Sequence, residues 1–278
     1  MRTIQLVNGI HSSVLGFGCA PILGAVDGVT AKRALDFALE HGINHLDLAR
    51  SYGYGEAEQF VGKLLKGKRE KVVLARKFGI VANWKARALT PFKPFIRMVR
   101  KRKKENPASV MLPAEQTVSM GDRFHDRIPL RGSEMRKSLE KSLSALRTEY
   151  LDYFFVHEPT DRITYIDELT HTAENLKKEG KIRAWGLAYM RDKETLHQDY
   201  LNRFDVLQFN NTPGVQGYRE TVNNRGAFSN VMFSPFRGGS TELTPPQKLK
   251  RLLEDFPRSV ILCSMYNTKH ILDNIKAV

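Results

Sequence analysis

Cysteine is almost missing from this chain. Cys19 and Cys263 are the only two among 278 residues. That is too few for a disulfide framework or a four-cysteine zinc site, so no metal site is expected. Long apolar runs are missing as well. None approaches the roughly 18 residues of a membrane span. The opening Met1-Arg2-Thr3-Ile4-Gln5 lacks the apolar stretch of a secretory leader. A cytoplasmic protein is the expectation. Acidic residues are few beside basic ones: 30 Asp and Glu against 44 Lys and Arg give a formal net charge of +14. Such a field favours anionic ligands or partners: a phosphorylated cofactor, a nucleic acid, an acidic protein or a lipid surface. Charge alone does not choose among them.

What is present has the rhythm of an α/β protein. A short apolar strand, a polar turn and a helix-period segment recur. Strands are predicted at Val14–Gly18, His45–Leu48, Val72–Ala75, Tyr150–Val156, Ile182–Leu187, Val206–Phe209, Val231–Phe233 and Val260–Leu262. Helices are predicted at Thr30–Glu40, Glu56–Leu65, Ser133–Leu146 and Asp167–Glu179, near Lys193 and Tyr218, and at Pro245–Asp255 and Thr268–Ala277. In the first, Ala31, Ala34, Leu35, Ala38 and Leu39 share one face, and Gly42 closes it. Ser133 is placed to cap the third. Eight such pairs predict a (β/α)8 TIM barrel, with residues 1–278 as one domain. An open doubly wound sheet is the competing architecture. Its glycine fingerprint is incomplete: Gly16-Phe17-Gly18 starts one, but Pro21 stands at the third glycine position.

A long interruption, residues 80–132, separates the third strand from its helix. It holds twelve Lys/Arg and four Asp/Glu, and so carries eight of the fourteen net positive charges. Arg97 and Arg100 to Lys104 crowd into eight residues, and five prolines punctuate the segment. This reads as an insertion in the third βα loop. Its basic run fits a solvated surface helix, a dock for an acidic protein or carrier, or a contact with anionic lipid, since Phe95-Ile96 and Met98-Val99 interleave with the charges. No nucleic-acid motif accompanies it, and no nucleic acid is expected. Trp84, Phe92 and Phe95 are placed to cover a nearby mouth.

Active sites of such barrels lie at the C-terminal ends of the strands. Asp47 sits near the end of strand two, Tyr52 in the loop after it, Lys77 after strand three and His157 directly after strand four. These residues suit a carbonyl that receives hydride and needs a proton on its developing alkoxide. A tyrosine, with a pKa near 10, holds a proton yet can deliver it. A neighbouring ammonium lowers that pKa; Lys77 supplies it and Asp47 holds Lys77. His157 is placed to orient the carbonyl by a hydrogen bond. His45 reads as a buried strand residue. Cys19 and Cys263 read as buried, inert thiols.

The segment Leu46-Asp47-Leu48-Ala49-Arg50-Ser51-Tyr52-Gly53-Tyr54-Gly55-Glu56-Ala57-Glu58 resembles the signature of the aldo-keto reductases. Ala75-Arg76-Lys77-Phe78-Gly79 is similar to the family's lysine strand, and Leu151 to His157 to its histidine strand. Gly180 to Gly186 resembles the turn into its fifth strand, Phe233-Ser234-Pro235-Phe236 its aromatic element after strand seven, and His270 to Asn274 its adenosine-end element. The resemblance implies the barrel and a nicotinamide dinucleotide, NADPH or NADH with NADPH preferred. It implies reduction of a small-molecule aldehyde or ketone with Asp47, Tyr52, Lys77 and His157 at the centre. It assigns Gln208, Phe233, Ser234, His270, Asp273 and Asn274 to the cofactor. It also gives Ala188 and Tyr189 the place of a Ser-Asn pair that touches the nicotinamide amide. Ser264-Met265 replaces a Lys-Ser type pair at the 2′-phosphate, and by this resemblance the substrate pocket is expected to be shaped without the long C-terminal loop of many relatives. A non-catalytic barrel that binds a nucleotide or an acidic partner is the rival reading.

Overall fold

The computed structural model describes residues 1–93 and 122–278. An antiparallel hairpin, β1 (Thr3–Gln5) with β2 (His11–Ser13), comes first. Three parallel strands follow: β3 (Leu15–Gly18), β4 (His45–Ala49) and β5 (Val73–Phe78). A separate antiparallel ribbon, β6 (Ile80–Ala82) with β7 (His125–Arg127), interrupts them. Then come β8 (Leu151–His157), β9 (Ile182–Tyr189), β10 (Val206–Asn210), β11 (Asn230–Phe233) and β12 (Ser259–Cys263). The eight parallel strands close in the order β3-β4-β5-β8-β9-β10-β11-β12 and back to β3. The closing pair registers Ile261 on Leu15, Leu262 on Gly16 and Cys263 on Phe17. A doubly wound sheet keeps two open edges, so this pairing removes that alternative.

Helices α1 (Gly28–Glu40), α2 (Ala57–Leu64), α3 (Trp84–Ala88), α4 (Gly132–Leu146), α5 (Ile166–Lys178), α6 (Glu194–His197), α7 (Tyr218–Arg225), α8 (Pro245–Asp255) and α9 (Thr268–Lys276) accompany the strands. Each long one has a local cause. The Asp27 side chain caps α1 by accepting from Thr30 N at 2.9 Å. Its buried face is Ala31, Ala34, Leu35 and Ala38. Pro opens α8 after Thr244, whose N–H donates to Gln247 at 2.8 Å. Ser133 does not cap α4, contrary to expectation. The helix already begins at Gly132, and a carboxylate from α5 takes the cap's place: Gly132 N donates to Glu168 Oε1 at 2.7 Å. The helix expected near Lys193 is one turn, α6, between two 3-10 stretches. Among the described residues no helix is long and apolar enough to cross a membrane.

The strand side chains alternate between two cores. Inward residues such as Val73, Ala75, Tyr153, Phe155, Ala184, Val206, Val231 and Val260 fill the barrel, and Leu6 and Ile10 from the hairpin join them. Outward residues such as Leu46, Leu74, Phe154, Trp185, Leu207 and Phe209 pack against the helices. Gly186 marks a tight point of this interior: a Cβ there would lie 2.4 Å from Val206 O and 2.6 Å from the Phe155 ring. The barrel's interior is thus a filled core, and its upper end is left for chemistry.

The two ends of the insertion are stitched together. Ile80 pairs with Arg127 and Ala82 with His125, which brings the 80–82 and 125–127 segments side by side at the barrel mouth. The basic run from Arg97 to Lys104, with Phe95-Ile96 and Met98-Val99, lies outside the described residues.

One polar cluster sits in the outer core. Arg76 is fully buried; its Nε donates to Glu58 Oε1 at 2.9 Å and its Nη2 to Ser138 Oγ at 3.1 Å. Ser142 Oγ donates to the same Glu58 oxygen at 2.7 Å. Burial lowers the Arg76 pKa to about 10, and the guanidinium stays charged. Removing one partner of such a pair strands the other. Glu58→Ala is expected to destabilise the fold by about 3–5 kcal/mol. The double variant Glu58→Leu with Arg76→Met is expected to lose clearly less. Urea denaturation of the three proteins measures both, and a double variant as unstable as the single one would contradict this account.

Candidate active site

The register of adjacent strands brings Asp47 and Lys77 together. Ala49 faces Lys77 and Asp47 faces Ala75 across the β4–β5 pair. Lys77 Nζ donates to Asp47 Oδ1 at 2.6 Å and to Oδ2 at 2.5 Å, with both side chains buried. The same ammonium donates to Tyr52 Oη at 3.3 Å. Tyr52 oxygen therefore accepts from Lys77, and its own proton is free to point elsewhere. Gln208, on β10, donates from Nε2 to Asp47 Oδ1 at 3.2 Å. His157 ends β8, and its ring meets the Tyr52 ring edge-on at 6.3 Å. All four central candidates thus meet at one mouth.

Tyr52 owes its position to a backbone that few residues adopt. Gly53, Tyr54 and Gly55 have φ of 59°, 60° and 90°, three left-handed residues in a row. Tyr54 costs about 1–2 kcal/mol in that conformation. Gly53 is obligatory on two counts: its φ, and an Ile22 carbonyl oxygen 2.5 Å from where a Cβ would be. Lys93 ties the turn down from the insertion. Its Nζ donates to Gly53 O at 2.9 Å, pairs with Glu56, and lies 5.0 Å from the centre of the Tyr54 ring.

A cavity of about 840 Å³ opens beside this cluster. Ser51, Tyr52, Tyr54, His157, Glu158 and Thr160 line it, together with Ile80, Phe124, His125 and Arg127 from the ends of the insertion. The insertion therefore builds a wall of the mouth, with Phe124 edge-on to Tyr54 at 6.1 Å. It does so through different side chains from those expected. Trp84 is 73% exposed and Phe92 60% exposed, neither lines the cavity, and Phe95 lies outside the described residues.

The electrostatics depart from expectation at Tyr52. Lys77 was the reason to expect a lowered phenol pKa. The phenol is instead held well above its usual range, first by burial, then by the Asp47 and Glu158 carboxylates. Asp47 binds Lys77 through both oxygens, so the ammonium's field at Tyr52 is largely cancelled. Burial, together with the Lys77, Arg76 and Arg127 cations, keeps His157 well below the histidine range and neutral. His45 is fully buried, with Nδ1 3.1 Å from Ser12 Oγ and a pKa lowered to about 3 by burial. Burial also raises the Cys19 thiol, and raises Cys263 to about 12.

The residues expected at the cofactor divide. Gln208 is buried in the barrel, and its Oε1 has no hydrogen-bond partner among the described residues. Phe233 is half-buried on the inner core, and Ser234 follows with φ of 56°. Ala188 points inward. Tyr189 corrects its expectation: it is the last residue of β9, on the outward face, and its hydroxyl donates to Glu194 at 2.7 Å. Alternation along the strand turns it to the helices, so its side chain cannot replace an asparagine at the mouth. On α9, His270 is exposed, Asp273 is half-buried and Asn274 is buried. Met265 is buried and Ser264 exposed. Sequence reasoning passed over Glu158 and Lys93. Glu158 follows His157 at a strand end, which was a usable signal; nothing in the sequence pointed to Lys93 rather than its basic neighbours.

Comparison with known proteins now decides the family. The sequence profile described as Aldo/keto reductase family matches residues 14–213. The chain belongs to that family. Aldo-keto reductase YhdN of Bacillus subtilis is 30% identical to this aldo/keto reductase over 186 residues, 65% of the chain and 44% of YhdN. Pyridoxal 4-dehydrogenase of Microbacterium luteolum is 26% identical over 180 residues, 63% of the chain and 48% of that protein. The matched stretch thus spans about half the length of these curated relatives. An aldo-keto reductase of Bacillus halodurans, solved in its holo form, superposes with a TM-score of 0.68 at 25% identity, covering 100% of this chain and 90% of that one. A Klebsiella pneumoniae aldo-keto reductase solved with NADPH shares the fold with a TM-score of 0.66 at 18% identity, covering 99% and 89%.

Lys93→Ala leaves the Gly53 carbonyl and the Glu56 carboxylate without their cation. The expected loss is about 1–3 kcal/mol of stability, with faster amide hydrogen exchange confined to residues 52–56. Unchanged exchange there would mean the turn holds itself.

Proposed function

We propose that this aldo/keto reductase reduces an aldehyde or ketone to an alcohol, using NADPH or NADH. The observation that carries the reading is the chain Asp47–Lys77–Tyr52 at the edge of a cavity shared with His157. Tyr52 accepts from Lys77 and keeps its proton for the cavity, which is the arrangement a general acid needs. Neutral His157 provides an N–H to hold the carbonyl oxygen beside the phenol. The carbonyl is then polarised from two directions while Tyr52 gives up its proton to the oxygen, and the hydrogen bond that Lys77 Nζ donates to Tyr52 Oη holds the phenolate left behind.

The residues present fit a nicotinamide dinucleotide. Gln208 Oε1 is a buried acceptor without a partner among the described residues, suited to a carboxamide N–H. Phe233 offers a half-buried aromatic face at the same end of the barrel, next to Ser234. Asn274, Asp273 and His270 lie along α9, where they would meet the adenosine end. When bound, the dinucleotide supplies the hydride. The holo Bacillus halodurans structure and the NADPH complex of the Klebsiella protein support this assignment. Ala188 and the outward Tyr189 supply no side-chain hydrogen bond to the carboxamide, which leaves Gln208 with more of that task.

Tyr52→Phe is expected to keep nucleotide affinity, read by quenching of intrinsic fluorescence, and to lose about 10²–10⁴-fold in turnover. Absence of NADPH and NADH binding by the unaltered protein would leave the non-catalytic barrel as the reading. The pH dependence has a definite sign. Reduction uses the protonated phenol, and a raised pKa keeps that form populated as pH climbs. The alkaline fall in kcat/KM for reduction is therefore expected beyond about pH 10, the ordinary tyrosine value. A limb between pH 7 and 9 that disappears in Tyr52→Phe would show a lowered pKa instead.

A further inference from the structure

Two aromatic side chains of the insertion have no task in that reading. Trp84, on α3, and Phe92, in the 3-10 turn after it, suit a cover for the mouth by sequence. Both face solvent instead, 73% and 60% exposed, and neither lines the cavity. Their exposure is built into the fold. Asn83 fixes one end of the platform: its Oδ1 accepts from Ala86 N and its Nδ2 donates to Arg123 O, both at 3.1 Å. Buried Lys93 fixes the other end through Gly53 O at 2.9 Å. Between them Ala86 is fully buried. Residues 84–92 are thus held at both ends, with their two aromatic side chains left in water. Large apolar side chains fixed in that way gain free energy when a partner takes them out of water.

The charge that accompanies them is mostly positive. Lys85 Nζ lies 5.8 Å from the centre of the Trp84 ring. By sequence, Arg97 and Arg100 to Lys104 follow Phe92 within a dozen residues, and the 80–132 segment holds twelve Lys/Arg against four Asp/Glu. One of those carboxylates, Asp126, already accepts from Asn83 Nδ2 at 3.2 Å. Projecting aromatics beside basic charge are favoured twice at a bilayer surface. The rings settle at the level of the headgroups, and the cations meet anionic phosphates. A protein partner would need a recess shaped for each ring, whereas a lipid interface accepts any ring that projects. We propose that residues 84–92, through Trp84 and Phe92, dock the protein on an anionic lipid bilayer. The attachment is peripheral, since no described helix is long and apolar enough to cross a membrane. It does not depend on the reduction reading above.

The chain itself supplies the probe. It has two tryptophans, and Trp185 is fully buried with its Nε1 donating to Arg203 O at 3.0 Å. A change of tryptophan emission on adding lipid therefore reports Trp84. The experiment sediments the full chain with vesicles of phosphatidylcholine, or of an equimolar mixture with phosphatidylglycerol. The mixed vesicles are expected to bind at least about tenfold more tightly. Binding is expected to shift the emission to the blue, and brominated acyl chains to quench it. The double variant Trp84→Ala with Phe92→Ala is expected to lose about tenfold in binding; both side chains are exposed, and circular dichroism checks that the fold is kept. Quenching by brominated lipid in the unaltered protein tests the contact without any variant. No binding to the mixed vesicles overturns the proposal, as does equal binding to both compositions. Binding with unchanged emission, equal in the double variant, also overturns it and leaves adsorption by charge alone. The same blue shift with soluble poly-L-glutamate would make an acidic protein the partner, and a shift that grows with protein concentration alone would make it a second copy; either result overturns the lipid assignment.

Discussion

A carboxylate and an ammonium in contact inside a barrel carry a large desolvation penalty, and only a fixed geometry with further hydrogen bonds repays it. The Asp47–Lys77 pair satisfies that demand through the architecture. Adjacent parallel strands hold the two side chains in register. Gln208 completes Asp47 from across the barrel. Tyr52 Oη accepts a further hydrogen bond from the ammonium. Asp47 and Tyr52 come from one βα unit, Lys77 from the next and Gln208 from the strand opposite, so the full arrangement exists only when the barrel has closed. The inner core, with Gly186 permitting close approach of Phe155 and Val206 O, is what makes that closure tight.

The turn carrying Tyr52 is the complementary case. Three left-handed residues in succession are unfavourable alone, and the surroundings must hold them. Lys93 does so from within the insertion, and Phe124 and Arg127, just before and within β7, line the same mouth. The insertion is therefore continuous with the mouth in structure. Its basic composition suggested a surface appendage. Its described ends show side chains given to loop anchorage and cavity lining, which net charge does not reveal.

The barrel was legible because alternation along strands and helix periodicity are written in local sequence. Asp47, Tyr52, Lys77 and His157 were legible because strand ends in such a barrel share one mouth, and because the surrounding motifs resemble a known family. What escaped detection depends on contacts between distant segments. Glu168 displaced Ser133 as a cap because α5 packs beside the start of α4. Tyr189 was misread because the strand runs two residues further than Leu187, and its parity sends the ring outward. The direction of the Tyr52 shift was misread because one cation near a phenol says little until its counter-ion is located. Asp47 was seen as a clamp for Lys77, but its charge also acts on Tyr52 directly.

That last point bears on how the mouth differs from the protein around it. A net charge of +14 suggested anionic ligands. Charge is felt locally, however, because screening confines surface fields to about 8 Å in physiological salt. Beside Tyr52 the Lys77 charge is matched by Asp47, His157 is neutral, and Glu158 adds a carboxylate with no cation bound to it. Arg127, whose guanidinium lies against the Glu158 carbonyl, balances that carboxylate, so the immediate setting of the proposed acid is close to neutral. Such a setting resists phenolate formation and keeps the proton on Tyr52 until negative charge builds on a nearby oxygen. It suits an uncharged substrate that becomes an alkoxide during reaction better than one that arrives as an anion. The basic exterior and the acid-retaining mouth therefore answer different demands, and the composition of the whole chain describes only the first.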